Sequence, residues 1–309
     1  MKKVLVIYYS QTGQLTEILQ NIVSTIEGKD VHVDYHQIQP VNEYPFPWKE
    51  KDFYDAFPES FLQIPEPINE LSSEILQKKY DLIILGYTVW YLTPSIPVNS
   101  FLKSEAAKKL LNNTPVVTVI ACRNMWIQAQ EKVKILLLDC NAKLVGNIAM
   151  VDKNINHVSV ITIMHWMFKG KKTRFLGFFP KPGVSEADIE RAEIFGVPIK
   201  NALIADDFSG LQPELLKLKA VKVKPLLIAT DERGNFVFSK WANLIIKKGA
   251  SGSPKRAKWL VLFKYYLLFA IWVIAPIVFI VFLLTYPLKR NKINREKAYF
   301  SSVTTTKDS

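Results

Sequence analysis

The sequence predicts an α/β fold: a doubly wound sheet of five parallel strands with flanking helices, followed by a C-terminal helix apolar enough to cross a membrane. Three short apolar runs, residues 4–9, 82–86 and 115–121, each end abruptly in a loop rich in Gly, Ser, Thr or aromatic residues. A run that is apolar on both faces suits a parallel strand covered by helices on either side. Residues 265–286 then give 22 consecutive positions without a charge.

The first strand runs into Ser10-Gln11-Thr12-Gly13-Gln14-Leu15-Thr16, and a helix-like stretch begins at about Leu15. The backbone amides of such a turn, with the hydroxyls of Ser10, Thr12 and Thr16, form a concavity the size of a phosphate monoester. The positive end of the helix dipole completes it without Lys or Arg. Gly13 allows the backbone to turn and to approach the anion closely. The loop lacks the lysine of a Walker loop and two of the three glycines of a dinucleotide fingerprint. It resembles the phosphate loop of the flavodoxin family, Ser/Thr-x-Thr-Gly-x-x-Thr, matched by Ser10, Thr12, Gly13 and Thr16.

Residues 31–36 read as the second strand, with Val31, Val33 and Tyr35 alternating with His32, Asp34 and His36. Residues 40–67 are a long connection holding Trp48, Phe53, Tyr54, Phe57 and Phe61. Long loops inside compact domains are usually functional. This one reads as an aromatic lid, or else as a packed surface excursion.

The third strand leads into Thr88-Val89-Trp90-Tyr91, braced by Pro94 and Pro97. Large π faces on a rigid loop make a stacking platform. The pattern is similar to the branch of the flavodoxin family that contains membrane-linked NAD(P)H:quinone reductases, except that Thr88 stands where that branch often has proline. The resemblance implies that these residues pack on the isoalloxazine of FMN. The fourth strand ends in Cys122-Arg123-Asn124, with a helix over residues 127–139. Doubly wound sheets bind ligands beyond the carboxyl ends of their strands, so the three loops converge on one crevice. Arg123 and Asn124 are placed to donate to the flavin pyrimidine edge.

Residues 143–150 supply the fifth strand, and a helix over 186–204 is opened by Ser185 with Asp188 at the capping-box position. Residues 155–182 form an apolar insertion with a basic hem, Lys169, Lys171, Lys172 and Arg174. It reads as a membrane-surface element, the wall of a lipid-sized pocket, or an inserted core element. The predicted organisation is therefore a domain over 1–207, with its lid at 40–67 and insertion at 155–182. A small appended element follows at 208–245, with a hairpin around Asp231 to Asn235. Beyond it lie a basic linker at 246–258, a transmembrane anchor at 259–287 and a basic, disordered tail at 288–309.

The net charge of +12 is local. Residues 240–309 hold 13 of the 40 Lys and Arg and 2 of the 28 Asp and Glu, which leaves the rest of the chain with 27 and 26. That distribution excludes nucleic acid as a partner and assigns the basicity to the flanks of the apolar run. The run reaches roughly 33 Å as a helix, against a hydrocarbon core of about 30 Å. Tyr265, Tyr266 and Tyr286 stand at its ends as an aromatic belt. A single pass is predicted, with a re-entrant hairpin as the alternative, and no secretory leader is expected ahead of the first strand. The domain is accordingly expected on the cytoplasmic face of the inner membrane. The two cysteines and four histidines show no metal-ligand spacing, and no metal is expected.

With its membrane tail and the Cys122-Arg123-Asn124-Met125-Trp126 segment, the chain also resembles the flavodoxin-like proteins of bacterial dialkylresorcinol (flexirubin-type) pathways, labelled condensing enzymes or aromatases. This resemblance implies a membrane-anchored, FMN-dependent oxidation of an alkylated cyclohexanedione, a lipophilic substrate, to a resorcinol. Tyr91, His157 and His165 are the candidates for the base. An NAD(P)H:quinone reductase, an electron carrier and a flavin-free membrane-tethered interaction module remain as alternatives.

Overall fold

The computed structural model describes residues 1–305. The strands are β1 (Lys2–Tyr8), β2 (Val31–Gln37), β3 (Leu82–Trp90), β4 (Thr93–Pro94), β5 (Pro115–Cys122) and β6 (Lys143–Val151). Five of them form a parallel sheet in the order β2-β1-β3-β5-β6. Val4 of β1 lies beside Val33 and Leu82, and Gly86 of β3 lies between Tyr8 and Val119. Counting only parallel strands, the order is 2-1-3-4-5, that of the flavodoxin-like fold.

The sixth strand corrects the expected count of five. It is the two-residue β4, paired antiparallel to the end of β3, with Val89 opposite Pro94 and Trp90 opposite Thr93. Tyr91 and Leu92 both take positive φ, 50° and 65°, and this tight reversal folds the chain back on itself. So short a pairing leaves no periodic trace in the sequence.

The helices are α1 (Gln14–Ser24), α2 (Glu50–Asp55), α3 (Phe57–Phe61), α4 (Ser73–Gln77), α5 (Ile96–Leu102), α6 (Glu105–Leu111) and α7 (Ile127–Asp139). They are followed by α8 (Asn156–Lys169), α9 (Glu186–Glu190), α10 (Gly196–Ala205), α11 (Leu211–Lys217), α12 (Pro225–Ile246), α13 (Pro254–Phe269) and α14 (Ala275–Ser301). Alternate residues of each central strand face opposite layers. Leu5, Ile7, Ile83 and Leu85 pack against α5 and α7, while Val4, Val6, Leu82 and Ile84 pack against α1 and α10. Each such side chain, wholly removed from water, contributes about 1.5–3 kcal/mol.

A third apolar cluster joins the lid to the C-terminal helices. Tyr54, Phe57 and Phe61 of α2 and α3 pack with Ala242 and Ile245 of α12 and with Leu260 and Phe263 of α13. The lid therefore rests on a helical buttress made by residues distant in sequence.

Three expectations about the C-terminal third are corrected. The hairpin around Asp231 to Asn235 is instead the middle of the 22-residue helix α12. Gly234 lies there at a close crossing, where a Cβ would come within 3.2 Å of Leu92 and 3.3 Å of Met125. The basic linker is partly helical, and its Arg256 is wholly buried. The tail is not disordered through residue 301: α14 continues to Ser301, and Ile293 and Phe300 are buried. Residues 306–309 lie outside the described residues.

Candidate functional site

At the end of β1 the chain turns through Gly13 (φ 82°, ψ −23°), which stands at the N-cap of α1. That left-handed conformation favours glycine, and a Cβ there would meet nothing within 4 Å. No side chain caps α1, so its first amides face the loop and can bind an anion. Ser10 is buried, and its Oγ has no hydrogen-bond partner.

Two glutamines tie this loop to distant segments. The Gln14 side chain donates to Val184 O at 3.1 Å and accepts from Val184 N at 3.0 Å, fixing the segment that carries Gly183. Gln11 Nε2 donates to Pro45 O at 3.1 Å, while its Oε1 accepts from Trp48 Nε1 at 3.0 Å. The lid is thereby fastened to the loop it covers.

Trp90, at the end of β3, is held among three aromatic rings. Tyr9, Tyr44 and Trp48 meet it edge-on with centroids at 6.0, 4.9 and 5.5 Å, a favourable quadrupolar arrangement. Its carbonyl accepts from Thr93 Oγ1 at 2.6 Å and Ser60 Oγ at 3.2 Å. Thr88 Oγ1 is buried without a partner. The Tyr91 hydroxyl donates to Phe53 O at 2.6 Å, and burial pushes its pKa far above the ordinary tyrosine value.

Beyond β5, Arg123 Nη1 and Asn124 Nδ2 both donate to Asn156 Oδ1, at 2.7 and 2.9 Å, joining this loop to the start of α8. Burial lowers the Arg123 guanidinium to about 10, leaving it charged at neutral pH. Burial, aided by Asp231, raises the Cys122 thiol well above its ordinary range, so it remains protonated. Behind the loop, Asp231 Oδ2 accepts from Ile127 N at 2.9 Å and caps α7. Burial raises the Asp231 carboxyl to about 7, against the lowering effect of the Ile127 and Gln128 amides.

The three loops open onto a cavity of about 240 Å³. From the predicted site, Gln11, Thr12, Gln14 and Leu15 line it on one side, and Thr88, Val89, Trp90 and Tyr91 on another. Cys122 and Arg123 close the third. Ser10, Gly13 and Asn124 of the same loops, and Thr16 in the first turn of α1, do not line the cavity. The lid adds Trp48 and Phe53, and α8 adds Ile163, Met164, Trp166 and Met167. The α8 residues come from the insertion, whose even apolar character does not reveal which face turns inward.

Neither candidate histidine lines the cavity. His157 Nε2 lies 3.1 Å from Ile271 O, with its ring tilted against Trp272 at 4.9 Å, and His165 lies against Phe175 at 4.7 Å. Tyr91 does line it, but its hydroxyl is engaged with Phe53. The role of Asp231 behind the loop was not legible in the sequence, because the Asp231-Glu232-Arg233-Gly234-Asn235 run imitates a solvated turn. Among the described residues no group of His, Cys, Asp and Glu is placed to hold a metal ion.

The fold and the loop geometry together define a flavodoxin-like domain with an apolar, covered crevice at the carboxyl edge of its sheet. No protein-family model matches the chain, and no curated protein matches it. Solved structures are similar to it at low identity. A putative flavoprotein from Bacteroides eggerthii DSM 20697 shares 19% identity over 48% of this chain and 87% of its own, with a TM-score of 0.38. A flavodoxin from the domain Archaea shares 12% over 65% of this chain and 99% of its own, TM-score 0.38. A flavoprotein from Lactobacillus acidophilus NCFM, solved in complex with FMN, shares 20% over 48% and 92%, TM-score 0.36. The fold assignment stands on the strand order and parallel register.

Proposed function

We propose that this chain is an FMN-dependent oxidoreductase acting on a lipophilic substrate at the cytoplasmic face of the inner membrane. The residues present fit that cofactor. An uncapped helix N-terminus behind Gly13 suits its phosphate, and the orphaned hydroxyl of Thr88, which lines the cavity, lies where a ligand would supply its partner. Trp90 offers a braced aromatic wall for the ring system. When bound, FMN supplies a reversible two-electron hydride acceptor.

The observation that carries the enzyme reading is the double cover on the crevice. Trp48 and Phe53 from the lid and Met164, Trp166 and Met167 from α8 stand over the loops as an apolar roof. An electron carrier needs an exposed ring edge, whereas a roof excludes water and receives an apolar organic molecule. The chain's own residues would bind and orient the cofactor: the α1 amides would hold the anion, Trp90 would supply an aromatic wall, and cationic Arg123 would favour negative charge developing nearby. The lipophilic roof and the apolar C-terminal helix favour oxidation of an alkyl cyclohexanedione to a resorcinol within this class.

The test uses the full-length chain purified in detergent, because residues near 263 and 300 complete its core. Flavin absorbance, with FMN released in proportion to protein, is expected. A colourless protein that takes up no added FMN overturns the reading and leaves a membrane-tethered interaction module. Anaerobic bleaching by an alkyl cyclohexanedione, with formation of the resorcinol, is the expected substrate result. Turnover of NADPH with a quinone instead assigns a quinone reductase, and bleaching by neither assigns an electron carrier.

A further inference from the structure

Residues 254–301 form one apolar-centred helix of 48 residues, and its most apolar 18-residue window has a mean hydropathy of 3.1 with none of that window buried. By length and composition it is long and apolar enough to cross a membrane. Both of its ends, however, are built into the same folded body.

On the N-terminal side, Arg256 is wholly buried, with Nε donating to Asp55 Oδ1 at 2.7 Å and Nη1 donating to Glu59 Oε1 at 2.6 Å. Phe263 stacks on Phe57, Trp241 lies against Tyr266, and His157 meets Ile271 O. On the C-terminal side, Phe300 is buried and belongs to the main hydrophobic core. Tyr299 Oη donates to Glu131 Oε2 at 2.6 Å, and Gln212 Nε2 donates to Ser301 O at 2.8 Å.

Between Trp272 and Ile293 lie 20 residues, 273–292, with Ile277, Ile280, Leu283, Leu284 and Leu288 exposed. As a helix they rise roughly 30 Å, about the thickness of the hydrocarbon core. Set along the bilayer normal, they would require the one domain to be docked on both sides of the membrane. We propose that the helix enters the bilayer from one side only, as a strap whose two flanks remain on the face that carries the domain.

Two further observations agree with this. The flanks are basic on both sides, with Lys255, Lys258 and Lys264 before and Lys289, Arg290 and Lys292 after. Positive charge retains a flank on the cytoplasmic side, and here neither flank is released by its composition. The π turn Ala270–Ile274, with Pro276 and Pro287, interrupts regular helical bonding in the exposed stretch, where a strap must bend. The partner is the headgroup and upper acyl region of an anionic bilayer.

This inference rests on the membrane reading above, and the experiment separates the two. The full-length chain is reconstituted into phosphatidylethanolamine–phosphatidylglycerol vesicles, and a membrane-impermeant maleimide is applied to Asp30→Cys and Thr304→Cys variants, with the parent chain as background. The expected result is co-flotation with lipid and complete labelling of Thr304→Cys from the same side as Asp30→Cys, without detergent. Co-flotation with loss of Thr304→Cys labelling until detergent is added means that the helix spans, which overturns the strap and leaves the membrane reading intact. A chain that does not float with lipid overturns both.

Discussion

Phe57 of the lid and Phe263 of the apolar helix stack face to face, with ring centroids 3.9 Å apart and planes within 8°. Both rings are wholly buried. Through this pair the lid over the crevice and the apolar C-terminal helix share one core. Phe263→Ala is expected to cost about 3–5 kcal/mol, as aromatic truncations in cores do. Thermal unfolding should show the loss, and release of bound FMN should accelerate because the lid loses its support.

Arg256 adds an ionic clasp at the same junction. Burial opposes the charge on Asp55, yet hydrogen bonds from Arg256, Ser251 and Gly252 hold its carboxyl below the usual range. Arg256→Ala leaves two buried carboxylates without a cation and should destabilise the fold by about 3–5 kcal/mol. Adding Asp55→Asn and Glu59→Gln removes the stranded charges, so the triple variant should recover part of that loss in denaturant titrations.

Thr12→Glu tests the phosphate site. A carboxylate in a nest built for an anion repels the ligand, so the variant should purify without FMN while retaining its far-ultraviolet circular dichroism. Normal flavin content would remove Thr12 and its loop from the site.

Asp231 predicts a pH dependence. Its carboxyl is raised from 3.8 to about 7 in the folded chain, facing the Ile127 and Gln128 amides, Lys132, Glu232 and Cys122. Between those values the folded state holds a proton that the unfolded state has lost, so stability falls as pH rises through that window. The linkage reaches about 4 kcal/mol above the folded value. Asp231→Asn keeps an acceptor for Ile127 N and removes the titration. Its melting temperature should exceed that of the parent, by a margin that widens between about pH 4 and pH 7 and levels off above that. A constant margin would rule out the titration.

The sheet and three of its loops were legible because each is a local pattern: an apolar run, an abrupt turn, and a helix. Ser10 to Thr16 and Thr88 to Tyr91 needed only their neighbours to be read. The buttress did not have that property. Asp231-Glu232-Arg233-Gly234-Asn235 reads as a turn until Gly234 is seen at the crossing with Leu92 and Met125, and Asp231 under the start of α7. Phe300 looks like part of a solvated tail until it is found buried in the main core. These placements depend on partners tens of residues away, and periodicity carries no record of them.

The position of Phe300 in the core also sets an order on the making of this protein. During synthesis the strands and crevice loops emerge first, then the apolar helix, and only afterwards the Phe300 ring that joins the main core. Domains generally fold as they emerge, N-terminal parts first. Here one core residue follows the long apolar helix in the chain, so the core cannot close completely until that whole helix has been made.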